Sequence, residues 1–152
     1  SLFGKLAQAG AELLIKTLPS IEQGTAVAEK QPEESPTPYA AMITKQMGLL
    51  DFTKSAETLE RLVRGMNPWP SAYTFVNGKT LKVWKSSVSQ ETSDAQPGTV
   101  ILTDKAGIHV ACKEGVLLLT EVQLEGKKRM DAETFLRGYH MEQGTVFTDH
   151  KE

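Results

Sequence analysis

A chain of 152 residues, 39% hydrophobic and 24% charged, is long and apolar enough to bury one domain and too apolar for wholesale disorder. Its formal net charge of −2 excludes a uniformly basic nucleic-acid binder, so any site for a polyanion must be a local patch. The single cysteine, Cys112, excludes an internal disulfide, and no apolar run reaches the roughly 18–20 residues of a membrane span, so a soluble cytoplasmic protein is expected.

The N-terminus lacks the cationic flank, apolar core and cleavage site of a signal peptide. Residues 2–18 instead predict a helix. Phe3, Leu6, Ala7, Leu13, Leu14 and Leu18 recur near the 3.6-residue period, and Pro19 is expected to end the run. A helix with such an apolar face normally packs on a sheet, and no strand pattern follows for some fifty residues, so it reads as an orphan. Residues 29–38 are acidic, proline-rich and free of apolar side chains, the composition of a semi-extended linker. Residues 39–52, with Tyr39, Met42, Ile43, Leu49 and Leu50, fit a short helix followed by an extended segment.

Helix 55–66 is clearer. Ala56, Leu59, Leu62, Val63 and Met66 form one stripe, Thr53 or Ser55 can cap it, and Glu57 suits its N-terminal dipole. Pro68 forces the chain out of helix at residue 67, and Trp69 between prolines is expected to plug the corner. The period then changes to two. Ser71–Val76 and Lys79–Val88 flank Asn77-Gly78, a pair that tolerates the positive φ values of a tight hairpin. Three further strands follow, Gly98–Thr103, Gly107–Cys112 and Val116–Leu124. A last helix near 131–140 has Asp131 as its cap, and polar residues 147–152 are expected to fray. Five short strands with tight turns and flanking helices predict a mainly β fold, an OB-like Greek-key barrel preceded by a linker and an orphan N-terminal helix.

The chemistry-bearing residues are few. His109 and Cys112 lie three apart in a strand and so point to opposite faces, which argues against a shared metal; Cys112 is expected in the core and His109 in solvent. Asp51, Glu57 and Glu60 read as a solvated acidic face, and no phosphate-cradling glycine motif is present. No catalytic, cofactor-binding or metal-ligating residue is therefore assigned.

Cations are the better signal. Residues 39–90 carry seven Lys/Arg against three Asp/Glu, while 91–152 carry seven against eleven yet include the unbroken Lys127-Lys128-Arg129. Strand alternation places Leu81 and Val83 on one face and Lys82 and Trp84 on the other. Lys82 and the indole would then share the outer surface, but a large aromatic mostly packs, so Trp84 is expected to be covered by a helix with Lys82 only solvating the strand. The three-cation turn at 126–130 is either a solvated loop or a cluster whose local potential attracts phosphates. Lys45, Arg61, Arg64 and Arg137 are further candidates.

Several of these residues carry a family likeness. Arg64-Gly65-Met66-Asn67-Pro68-Trp69-Pro70-Ser71-Ala72-Tyr73-Thr74, then Lys82-Val83-Trp84, then Gly126-Lys127-Lys128-Arg129-Met130-Asp131-Ala132 and Phe135-Leu136-Arg137-Gly138 resemble the C-terminal region of the methionyl-tRNA formyltransferase family. Lys5-Leu6-Ala7, Gly10-Ala11-Glu12-Leu13-Leu14 and Thr17-Leu18-Pro19 look like the last helix of that family's catalytic domain. The resemblance implies three parts: 1–28 as the end of the catalytic domain, 29–38 as linker and 39–152 as an OB-like C-terminal domain. It implies initiator methionyl-tRNA as partner, held on a basic surface of the C-terminal domain; Lys45, Lys82, Lys85, Lys127, Lys128 and Arg129 are the candidate tRNA-binding residues, none of them matched to a functional position of the family. In the intact enzyme 10-formyltetrahydrofolate is the formyl donor, but the catalytic motifs are absent here, so this chain is expected to be inactive alone. No metal or membrane partner is implied. The helix at 2–18 is expected to be disordered, refolded on the barrel or paired between copies. The rival expectations are the barrel of another folate-dependent formyltransferase, or a non-enzymatic OB module for nucleic acid or protein.

Overall fold

The computed structural model describes residues 2–35 and 37–151; Pro36 of the expected linker, Ser1 and the terminal Glu152 lie outside the described residues. The chain divides into two compact units, residues 1–41 and 42–152.

The first unit holds α1, Leu2–Glu22. The helix is formed, and it runs past the expected stop at Pro19. Proline forfeits its own N–H bond but keeps its carbonyl, and Gln23 N–H closes the last turn on Pro19 C=O at 3.0 Å. Leu2, Phe3, Leu6, Leu13, Leu14, Ile15, Leu18 and Ile21 are all exposed. From residue 25 to 41 the described backbone has no helix or strand, as the proline-rich composition expects. Among the described residues no helix is long and apolar enough to cross a membrane.

The second unit begins with a single 3₁₀ turn at Lys45–Gly48 and an extended pair, Leu49 bridging Tyr73 and Leu50 buried. Helix α2, Ala56–Gly65, is capped by Ser55, whose side chain accepts from Thr58 N–H, and it buries Ala56, Leu59 and Val63. Strands β1, Ala72–Val76, and β2, Lys79–Val88, form the expected hairpin, with Asn77 and Gly78 at φ 48° and 70°. Strands β3, Val100–Thr103, β4, Ile108–Ala111, and β5, Val116–Leu124, follow. All pairings are antiparallel, in the order β1-β2-β5-β4-β3. A two-residue strand β6, Met130–Asp131, missed in the sequence, pairs with β5 and leads into α3, Ala132–Gly138, capped by Asp131 as expected.

Leu81, Val83, Val122 and Leu124 point inward with Ile108, Val110, Leu117 and Leu119, and α2 and α3 add Leu59, Val63 and Phe135 to one continuous core. Removing that apolar surface from water is the main favourable contribution to the fold.

Three expectations are corrected. The tail does not fray at 147: residues 144–148 bridge the two free edges of the sheet. Gly144 N–H donates to Val100 O at 2.8 Å, Phe147 N–H to Gly98 O at 2.8 Å, and Phe75 and Thr148 exchange bonds of 3.1 and 3.0 Å. Edge strands left open would carry unpaired backbone groups, and this segment satisfies both edges. Trp69 is no core plug, since it is 59% exposed. At the corner Gly48 packs so tightly on Ser71 that a Cβ would sit 2.3 Å from Ser71 O. His109 does not face solvent. It is buried with all of β4, because flanking loops cover the strand's second face.

Candidate nucleic-acid interface

The outer face of the β2–β5 pair carries the candidate cations. Tyr73, Lys82 and Gln123 lie side by side in register across β1, β2 and β5. Beyond Val83 the β2–β5 register shifts, so that Trp84 has no direct partner on β5 and Lys85 pairs with Glu121. Such a bulge re-aims a side chain and sharpens the local twist. Here it turns the half-buried Trp84 toward the 126–129 turn.

Trp84 is the hub of this face. The Arg129 guanidinium stands 4.5 Å from its ring centroid and Lys82 Nζ 5.8 Å from it. Its indole N–H donates to Gln123 Oε1 at 3.2 Å, and Gln123 Nε2 donates to Lys127 O at 3.0 Å, tying the basic turn to the same ring. Glu121 joins the other side: Arg129 Nε donates to one carboxylate oxygen and Lys85 Nζ stands 2.8 Å from the other. Those two hydrogen bonds, Arg129 first, hold the Glu121 carboxyl down at about 2 against an ordinary 4.5, so it is ionised throughout the neutral range. The same pairing raises the Arg129 guanidinium further.

Trp84, expected under a helix, is only half-buried: it lines a cleft beside α2, and its ring meets Lys82 and Arg129. Lys82, Lys85, Lys127, Lys128 and Arg129 gather on this face and its adjoining turn. Lys127 and Lys128 are exposed, and among the described residues neither has an ion-pair partner. Lys45 sits in the 3₁₀ turn, with no described contact to the cluster. Arg61, Arg64 and Arg137 are each paired with a carboxylate one helical turn away, Glu57, Glu60 and Glu133, so their fields are partly spent. Glu121 and Gln123 were missed in the sequence. Their signal was the antiparallel register, which sets them opposite Lys85 and Lys82 across some forty residues of chain.

Other chemistry fares worse. Ser89, His109 and Asp104 form a chain, with Oγ to Nδ1 at 3.2 Å and Nε2 to Oδ1 at 3.4 Å. Each end is committed to backbone: Asp104 Oδ1 accepts from Ala106 and Gly107 N–H, and Ser89 Oγ accepts from Glu91 N–H. The chain locks two loops onto β4 and presents no free nucleophile. Burial pushes the Cys112 thiol up to about 11, away from thiolate chemistry. Among the described residues no group of three or more His, Cys, Asp and Glu could hold a metal. An open cleft of about 370 Å³ between α2 and β2 has the Glu60–Arg64 pair and Lys85 among its walls.

Residues 42–140 match the family described as "Formyl transferase, C-terminal domain". The chain belongs to that family. A methionyl-tRNA formyltransferase of Agathobacter rectalis is 49% identical over 148 residues, covering 97% of this chain and 47% of that protein. One from Bacillus subtilis is 46% identical over 153 residues, covering 100% and 48%. The chain thus spans about half the length of the curated relatives it matches. Among solved structures, a variant of HypX from Aquifex aeolicus superposes with a TM-score of 0.61 at 17% identity, covering 86% of this chain and 24% of that one. HypX in complex with tetrahydrofolic acid gives 0.60 at 17% identity, over 91% and 26%. At that identity the likeness is one of fold: the formyl transferase C-terminal domain here is the expected OB-like antiparallel sheet.

Proposed function

We propose that this chain is the tRNA-holding part of a methionyl-tRNA formyltransferase. Residues 1–28 form the end of the catalytic domain, 29–38 the linker and 39–152 the OB-like domain. The observation that carries this reading is the gathering of Lys82, Lys85, Lys127, Lys128 and Arg129 around Trp84 in a chain whose net charge is negative. Cations concentrated on one face of an otherwise acidic protein suit a phosphate backbone, and phosphate contacts fix the position of a nucleic acid without reading its sequence. Transfer of the formyl group from 10-formyltetrahydrofolate to the methionine amino group of initiator tRNA then falls to the portion of the relatives that this chain does not span. The chain alone holds tRNA without formylating it, in the cytoplasm. The match to curated methionyl-tRNA formyltransferases supports this reading over an enzyme acting on another amine.

A salt-dependent titration of the chain with initiator tRNA tests it. With about three to five phosphates neutralised, log affinity should fall against log salt with a slope of about −2 to −4. Absence of binding at the lowest salt would overturn the reading.

A further inference from the structure

Arg129 differs from its neighbours in how it is held. Its Nε is bound to Glu121, and its guanidinium stacks on Trp84, with 39% of the side chain exposed. Among the described residues, its hydrogen bonds engage Nε alone, and none of the four Nη N–H groups has an acceptor. A guanidinium is a planar fork matching two phosphate oxygens, and its cost in binding is the rotamer freedom lost on engagement. Stacking from one side and the carboxylate at Nε remove that freedom beforehand. Trp84 is itself fixed, because its N–H is spent on Gln123 and Gln123 is spent on the Lys127 carbonyl.

We infer that Trp84 and Glu121 are positioning residues that hold the Arg129 guanidinium as a rigid fork for one RNA phosphodiester. On this view the indole serves as a platform for a cation and not for a base. The inference rests on the tRNA-holding reading above and deepens it.

The test uses the full chain, tRNA as probe, and both affinity and salt slope as readouts, with folding checked by circular dichroism and thermal unfolding. Arg129→Lys keeps the charge and loses the fork, so affinity should fall about five- to tenfold while the slope changes by less than about half a unit. Trp84→Leu should lose about three- to tenfold with the slope again retained, and Trp84→Phe, which keeps a ring face for the cation, should recover to within about twofold of wild type. A purely structural role would move the unfolding temperature and leave the affinity of the folded variants near wild type. The inference is overturned if folded Arg129→Lys binds within about twofold of wild type. It is overturned equally if Trp84→Leu weakens binding while Arg129→Lys does not, the result of a base-stacking indole. Should Trp84→Leu fail to fold, Arg129→Lys and Trp84→Phe decide. If wild type binds tRNA and Arg129→Lys matches it, only this inference falls; if wild type binds none, the tRNA-holding reading falls and takes the inference with it.

Discussion

Phe147→Ala should destabilise the domain by about 3–5 kcal/mol, read as a lower denaturant midpoint with unchanged cooperativity. Phe147 is 4% exposed and packs against Phe52 with ring centroids 5.9 Å apart. Its amide donates to Gly98 O, and the flanking bonds of Gly144 and Thr148 tie β3 to β1. Removing the ring leaves a cavity at the seam where the sheet closes, so the tail loses its anchor along with its buried surface. Neighbouring Lys151 provides the contrast. It pairs with Glu125 at 3.0 Å, but the two side chains are 52% and 46% exposed, and pairs in water contribute little, so Lys151→Ala should be nearly neutral. A loss below about 1 kcal/mol for Phe147→Ala would mean that the segment frays and the barrel closes without it.

Reversing Lys127, Lys128 and Arg129 to Glu should weaken tRNA binding by about two orders of magnitude near 0.1 M salt and flatten the salt slope by about 2. Three cations on one turn become three anions, beside a Glu121 that has lost Arg129 and keeps only Lys85. That last change also strains the fold. Lys127→Glu with Lys128→Glu therefore isolates the binding effect: both lysines are exposed and without ion pairs among the described residues, so unfolding should be unaffected while affinity drops at least tenfold. Unchanged affinity in the double variant would reduce the turn to a solvated loop.

Local signals in the sequence carried most of the barrel. Asn77-Gly78 announced the hairpin because two adjacent residues had to accept positive φ, and they do. Ser55 and Asp131 announced helix starts because a side-chain oxygen next to an apolar stripe satisfies an orphan amide, as both do here. What stayed hidden depended on partners far along the chain. The closing segment 144–148 is short and makes only isolated bridges, and the open edges of β1 and β3 give it that role. His109 looked outward by alternation, yet a loop from residue 89 and a turn at 104 cover it. Trp69 looked like a plug from its place between prolines, yet it is 59% exposed.

The site was legible as a set of cations and illegible as an arrangement. Lys82 and Trp84 were placed on one face by counting, and the 127–129 triplet by inspection. The bulge that swings Trp84 beneath Arg129 leaves no mark in composition. Nor does the sequence show that Glu121 holds Lys85 and Arg129 together across the sheet, which turns loose surface charges into an organised surface.

Amide chemical-shift mapping of the chain during titration with tRNA tests the central claim most directly. The account predicts perturbations concentrated at Lys82–Lys85, Glu121, Gln123 and Lys127–Arg129, with the indole N–H of Trp84 among them and that of Trp69 unmoved. Perturbations centred instead on Lys105 and Lys113, or spread evenly over the barrel, would contradict it.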